Sequence, residues 1–205
     1  SGKTTIADLV IGLMFPQSGQ VCLDDVPLPR VDIMAWRRMI GYVPQETILL
    51  HDTVLNNITL GNPDLSAADA QEALRAAGAW EFVNSMPEAM QSMVGERGGK
   101  LSGGQRQRIS IARALLKDPV IYLFDDCLSA VDTETEEAIL SNLKKASRHK
   151  TTLIVSHRVS SAIHADKVIV LDKGRVLQRG THDELMAVDG YYKELYINQL
   201  SGKES

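Results

Sequence analysis

Apolar and polar positions change period several times along the chain, and those changes mark out its elements. Ile6, Leu9, Val10, Leu13 and Met14 recur at three- and four-residue spacing, so residues 3–15 read as a helix that Pro16 stops. Residues 20–23 read as a short strand, followed by a turn at Asp24-Asp25 and a segment containing Pro27 and Pro29. Residues 33–39 have room for one or two helical turns, and residues 40–43 form an apolar strand ending at Pro44-Gln45. Between residues 52 and 112 the pattern turns helical. Asp52 is placed to cap a short helix carrying Val54, Leu55 and Ile58, and Ser66 with Asp69 has the form of a capping box for residues 67–77. Another short helix covers residues 80–86 and stops at Pro87. Glycine is dense across residues 94–104, which predicts a loop, and a helix follows with Ile109, Ala112, Leu115 and Leu116 as its apolar set.

Strand and helix then alternate again. Residues 120–124 predict a buried strand, Thr133 with Glu136 predicts a helix start, and Ile139, Leu140 and Leu143 supply that helix's inner face. Residues 151–155 form a second buried strand ending at Ser156-His157. Residues 167–171 and 175–178 flank Asp172-Lys173-Gly174 as a hairpin, and residues 183–188 and 191–200 predict small terminal helices. The alternation favours an α/β fold with a largely parallel, wound sheet. We divide the chain into an α/β core, residues 1–51 and 113–205, and an inserted helical subdomain, residues 52–112.

Composition narrows the function classes. The chain has 205 residues, 44% of them hydrophobic and 23% charged, the balance of an ordinary globular domain. A formal charge of -4 argues against nucleic acid as the main partner. Cys22 and Cys127 make no disulfide framework and fit a reducing compartment. The apolar stretch at residues 9–15 is too short to span a bilayer, so any membrane link is expected through other polypeptide.

The candidate chemistry gathers at strand and helix ends. The strand at 120–124 runs into Asp125 and Asp126, and the carboxyl ends of parallel strands are where α/β proteins place ligands. Ser1-Gly2-Lys3-Thr4 is the back half of the phosphate-loop pattern, with a helix directly behind it. Lys3 can reach phosphate oxygens, Thr4 can place a hydroxyl on magnesium, and Asp125 can hold that ion or its water. Asp126 can then polarise an attacking water. Residues 101–105, Leu-Ser-Gly-Gly-Gln, offer free amides at a helix start, a second anion-binding segment. One nucleotide needs one phosphate cradle, so the second segment predicts an interface with another copy or a related chain. His157, after a buried strand, can reach a phosphate or the attacking water, although a lone histidine also fits a structural role.

With these residues in order, the chain resembles the nucleotide-binding domain of an exporter-type ATP-binding-cassette (ABC) transporter. Ser1-Gly2-Lys3-Thr4-Thr5 is similar to the end of the family's phosphate loop, Gln45 to its Q-loop glutamine, and Leu101–Gln105 to its signature. Asp125 is similar to the Walker B aspartate, Ser129-Ala130-Val131-Asp132 to the D-loop, and His157 to the switch histidine. Val94-Gly95-Glu96-Arg97-Gly98 resembles the exporters' X-loop. The resemblance implies a P-loop NTPase fold: a RecA-like core with a mostly parallel sheet, an inserted α-helical subdomain and a partial antiparallel β-subdomain. It implies ATP and Mg2+ as ligands, with Thr4, Gln45 and Asp125 toward the metal and Asp126, His157 and Gln45 toward the reaction. Ser102, Gly103, Gly104, Gln105 and Asp132 would face the nucleotide of a second nucleotide-binding domain in a head-to-tail dimer. It further implies fused transmembrane domains upstream, contacted near residues 49–52, a place on the cytoplasmic face of the plasma (inner) membrane, and earlier strands and an adenine-stacking aromatic before Ser1.

Two positions depart from the family pattern. Asp126 stands where active members carry glutamate, which shortens the candidate base by one methylene, about 1.5 Å. Met93 stands where many exporters have glutamate before V-G-E-R-G. An aspartate base beside an intact signature resembles one half of bacterial heterodimeric exporters, a slowly hydrolysing site whose signature completes its partner's. A homodimer with two slow sites, a soluble cassette ATPase of DNA repair or translation, and a non-hydrolytic regulatory module are the alternatives.

Overall fold

The first helix ends sooner than its apolar spacing predicts. In the computed structural model, which describes residues 2–146 and 148–201, α1 spans Lys3–Ile11, not residues 3–15. Gly12 takes a left-handed conformation (φ 75°), and its N–H turns back to the carbonyls of Asp8 and Leu9. A Cβ at Gly12 would fall 2.4 Å from Ile33 Cδ1, so both backbone and space call for glycine.

The elements that follow are β1 (Cys22–Leu23), β2 (Val26–Pro27), α2 (Ile33–Arg38), β3 (Ile40–Val43), α3 (Val54–Thr59), α4 (Ala67–Ala76), α5 (Trp80–Asn84) and α6 (Gly103–Leu116). After them come β4 (Ile121–Asp125), α7 (Thr133–Ala146), β5 (Thr151–Val155), β6 (Val168–Asp172), β7 (Arg175–Gly180), α8 (His182–Met186) and α9 (Tyr191–Leu200). Two compact units result, one of residues 1–33 with 154–205 and one of residues 34–153.

The second unit carries the parallel pairing. β3 lies parallel to β4 in register, Ile40 against Ile121 through Val43 against Phe124. The strand order is β3-β4-β5, and Thr151 N–H donates to the Val120 carbonyl at 3.3 Å. Tyr122, Leu123 and Phe124 are all buried, the continuous apolar run of a strand covered on both faces. Ile109 and Ile111 of α6 and Ile139 of α7 are also fully buried, and each such side chain contributes about 1.5–3 kcal/mol.

Helix starts differ in detail from the sequence pattern. Ser66 and Asp69 form the reciprocal capping box expected for α4. The cap of α3 is Thr53, not Asp52: Thr53 Oγ1 accepts from Asn56 N–H at 3.1 Å. Asp52 instead accepts from Thr53 N–H at 2.7 Å and from Asn56 Nδ2 at 2.9 Å. Likewise Asp132 holds the start of α7, its Oδ1 accepting from Thr135 N–H at 2.9 Å, where Thr133 and Glu136 were the expected pair. Thr133 is the first helical residue and Glu136 is buried. In both places the neighbouring side chain is one residue better placed to reach the free N–H groups.

The first unit holds two antiparallel ladders. β1 and β2 pair Cys22 with Pro27 and Leu23 with Val26 around the Asp24-Asp25 turn, so the strand predicted at 20–23 is shorter. β6 and β7 form the predicted hairpin, with Lys173 (φ 45°) and Gly174 (φ 75°) both left-handed at its tip. That pairing of positive φ values matches the twist of the strands it joins. Val159, Val168, Leu185 and Tyr192 make one core cluster of this unit. Among the described residues no helix is long and apolar enough to cross a membrane.

Candidate functional site

In the first unit the site begins at the entry to α1. Gly2 is the N-cap residue in a left-handed conformation (φ 91°), so the chain turns sharply into the helix, and no side chain caps its start. Lys3 opens the helix, and its Nζ lies 3.4 Å from Nδ1 of His157, just past β5. An ammonium has only donors, so this contact needs the imidazole Nδ1 as acceptor. Thr4 and Thr5 are exposed on the same first turn. A helix N-terminus with a lysine and hydroxyls suits a phosphate. Ser1 lies outside the described residues.

In the second unit, β3 and β4 end at the same level, which follows from their parallel register. Residues just beyond each strand therefore face one another. Gln45 Nε2 donates to Asp126 Oδ2 at 3.3 Å. Asp125, the last residue of β4, is 1% exposed, whereas Asp126 is half-buried. Asp126 has a left-handed backbone (φ 46°), a conformation aspartate tolerates better than most residues, and its carbonyl accepts from Ser129 Oγ at 2.9 Å. Burial pushes the neighbouring Cys127 thiol up to about 12.

The glycine-rich segment and the loop after β4 are packed as one piece. Ser102 and Gln105 cap α6 reciprocally, Ser102 Oγ accepting from Gln105 N–H at 3.2 Å and Gln105 Oε1 from Ser102 N–H at 2.9 Å. A Cβ on Gly104 would sit 2.7 Å from the Ala130 carbonyl oxygen, so the helix can lie this close only with glycine there. The buried Gln107 accepts from Ala130 N–H at 3.3 Å. Arg108 donates to the Gly78 carbonyl at 2.8 Å and stacks over Phe82 at 4.9 Å. The Asp132 carboxyl is held below the usual aspartate range, first by the Thr135 N–H and also by the nearby Arg108 charge. Gln107 and Arg108 were not among the residues the sequence singled out. The readable signal at Gln107 is a polar residue in line with the buried Ser110, Ile111 and Ala114.

The stretch after Gln45 is joined to the V-G-E-R-G turn by backbone. Val54 N–H donates to Ser92 O at 3.0 Å, Val94 N–H to Asp52 O at 3.1 Å, and Thr53 bridges Met93. Gly98 is left-handed (φ 75°), and a Cβ there would lie 2.8 Å from Arg106 Cδ and 3.1 Å from Leu49 Cδ1.

The ABC transporter family matches residues 1–129. The chain belongs to that family. It is 45% identical over 203 residues to an ATP-dependent lipid A-core flippase of Alkalilimnicola ehrlichii, covering 98% of this chain and 34% of the flippase. It is 43% identical over 199 residues to a probable multidrug resistance ABC transporter ATP-binding/permease protein, YheI, of Bacillus subtilis, covering 97% of this chain and 34% of YheI. A solved bacterial Atm1-family ABC exporter with ATP bound superposes with a TM-score of 0.93 at 39% identity, over 97% of this chain and 35% of that one. The chain thus spans about a third of the length of these curated relatives. The fold of this ABC chain is the P-loop NTPase fold, α/β with antiparallel additions.

The positions that the sequence reading assigns to the metal carry donors suited to magnesium, Thr4 in the first unit and Gln45 and Asp125 in the second. The Thr4 hydroxyl, the Asp125 carboxylate and the Gln45 amide oxygen are all hard oxygen donors. Among the described residues there is no cluster of three or more His, Cys, Asp or Glu that could hold a metal ion.

Proposed function

We propose that this chain is the ATP-binding and ATP-hydrolysing domain of a membrane exporter, and the slower of two sites in a heterodimer. The observation that carries the reading is the end of β4: a buried Asp125, then Asp126 hydrogen-bonded to Gln45. In this reading Ser1, Gly2, Lys3, Thr4 and Thr5 bind the phosphates, while Thr4, Gln45 and Asp125 hold Mg2+, whose chemistry is to neutralise phosphate charge. Asp126 accepts a proton from the attacking water and His157 orients the phosphate end. Ser102, Gly103, Gly104, Gln105 and Asp132 close on the nucleotide of the partner domain. Residues 52–112 are the helical subdomain between two parts of the core.

The slow-site assignment is supported by two features of Asp126. Its side chain is one methylene short of glutamate, and its left-handed backbone suits aspartate better than the longer residue. Water activation needs heavy-atom distances within hydrogen-bond reach, so a short base loses rate. The likeness to a lipid A-core flippase and to a multidrug ATP-binding/permease protein supports a lipid or drug as cargo and transmembrane domains as partners, and in this reading the domain works on the cytoplasmic face of the membrane. A contact near residues 49–52 with those membrane domains is supported by exposed Leu50 and by exposed Ile48 just before it, Leu49 itself being buried. The deciding experiment is ATP turnover by the assembled transporter with the partner's own site inactivated, for the native chain and Asp126→Glu. The expected gain is about tenfold. Unchanged turnover defeats the weak-base assignment, and no turnover in either protein favours a regulatory module.

A further inference from the structure

Asn57, on α3, is 0% exposed and uses its whole amide. Oδ1 accepts from Leu50 N–H at 2.8 Å, and Nδ2 donates to the carbonyls of Leu50 and Thr53 at 3.0 Å each. Arg113, near the end of α6, takes hold of the same residue. Its Nε donates to the Asn57 carbonyl at 2.7 Å, Nη2 to Asn57 Oδ1 at 3.3 Å, and Nη1 to the Ile48 carbonyl at 3.4 Å. The segment 48–50 is therefore gripped at Leu50 by α3 and at Ile48 by α6. Between them Leu49 is buried beside Gly98, against which the stem of Arg106, also on α6, packs. The flanking side chains face outward, Ile48 at 72% exposure and Leu50 at 53%.

A buried amide joined to a half-buried guanidinium is a poor choice for stability alone, because apolar side chains of similar volume fill such a site with less desolvation cost. A satisfied polar network does something an apolar contact does not: it admits one arrangement. We propose that Asn57 and Arg113 are positioning residues, a rigid link that carries displacement of the exposed apolar segment 48–50 into α6. The helix is then the lever. From Arg113 to Ser102 is eleven residues, about 16 Å of continuous helix, and the far end carries the Ser102–Gln105 cap. The link rests on the reading above, in which segment 48–50 meets the membrane domains and the α6 start meets nucleotide.

The experiment measures kcat for ATP in the full-length transporter in phosphatidylcholine vesicles, for the native protein, Ile48→Ala, Arg113→Lys and the pair. Arg113→Lys keeps the charge and loses the fork that reaches Asn57 and Ile48 together. Ile48→Ala is expected to change kcat by about threefold in the native background and by less than about 1.5-fold beside Arg113→Lys. A merely structural role gives the same fold-change in both backgrounds and overturns the link. So does an Ile48→Ala protein with native kcat, since nothing is then transmitted. If Arg113→Lys does not fold, Arg113→Gln takes its place in the same cycle. A native transporter with no ATP turnover overturns the functional reading beneath the link, and the link with it.

Discussion

Gly103 and Gly104 are adjacent, both helical, and should answer oppositely to the same added methyl. At Gly104 a Cβ would fall 2.7 Å from the Ala130 carbonyl oxygen, about 0.7 Å inside the 3.4 Å where ordinary contact begins. The obstacle is backbone, so no side chain can swing away. At Gly103 the nearest atom is Ala130 Cβ at 3.7 Å, an ordinary contact. Alanine gains about 0.5–1 kcal/mol over glycine in a helix, and forcing atoms into a packed site costs about 1–3 kcal/mol. Gly103→Ala should therefore be neutral or stabilising, and Gly104→Ala should lose about 1–2 kcal/mol net. At about 2–4 °C per kcal/mol for a chain of this size, Tm falls by about 2–8 °C for Gly104→Ala only. Differential scanning calorimetry of the two variants side by side checks it. A Gly104→Ala protein at least as stable as Gly103→Ala refutes the close approach of α6 to the loop after β4.

Three further outcomes follow from other parts of the chain. Exposed Cys22 should take up about one equivalent of maleimide at neutral pH, while Cys127, its thiol buried and pushed up to about 12, should label only after denaturation; peptide mass spectrometry reads both. The Asp132 carboxyl is depressed in the folded state, so its contribution to stability is complete above the ordinary aspartate value of 3.8 and lost as pH falls through the lower folded value. Between those two values, urea midpoints should decline more steeply for the native protein than for Asp132→Asn. Ser66→Ala removes the hydroxyl that accepts from Asp69 N–H at 3.2 Å and should cost about 1 kcal/mol, and Ser66→Gly less, by chemical denaturation.

Element type and order were legible in the sequence because burial enforces period. The apolar run at 121–124, the Ser66/Asp69 cap and the Lys173-Gly174 turn each carry their own local signal. Ends were less legible. The caps at Thr53 and Asp132 depend on which of two adjacent oxygens reaches a free N–H, and spacing alone does not decide that. The first helix ends at Gly12, which is left-handed and leaves no room for a Cβ beside Ile33, twenty-one residues away. At the site, the pairing of Gln45 with Asp126 is consistent with both lying just past parallel strands, but the left-handed backbone of Asp126 has no sequence signal. Arg113 and Asn57 were invisible for a different reason: in sequence they look like one solvated arginine and one solvated amide.

The choice of partners at Arg113 sets how its contacts respond to the medium. Its acceptors are two carbonyl oxygens and an amide oxygen, with burial alone lowering its pKa, so no carboxylate protonation enters the balance. Surface pairs such as Lys193 with Asp189 weaken as dissolved ions accumulate around them. A half-buried guanidinium bonded to neutral dipoles is screened less by that ionic atmosphere than a surface ion pair. The grip of α6 on Asn57 should thus hold across changes of ionic strength and mild acidity that loosen the molecule's exterior.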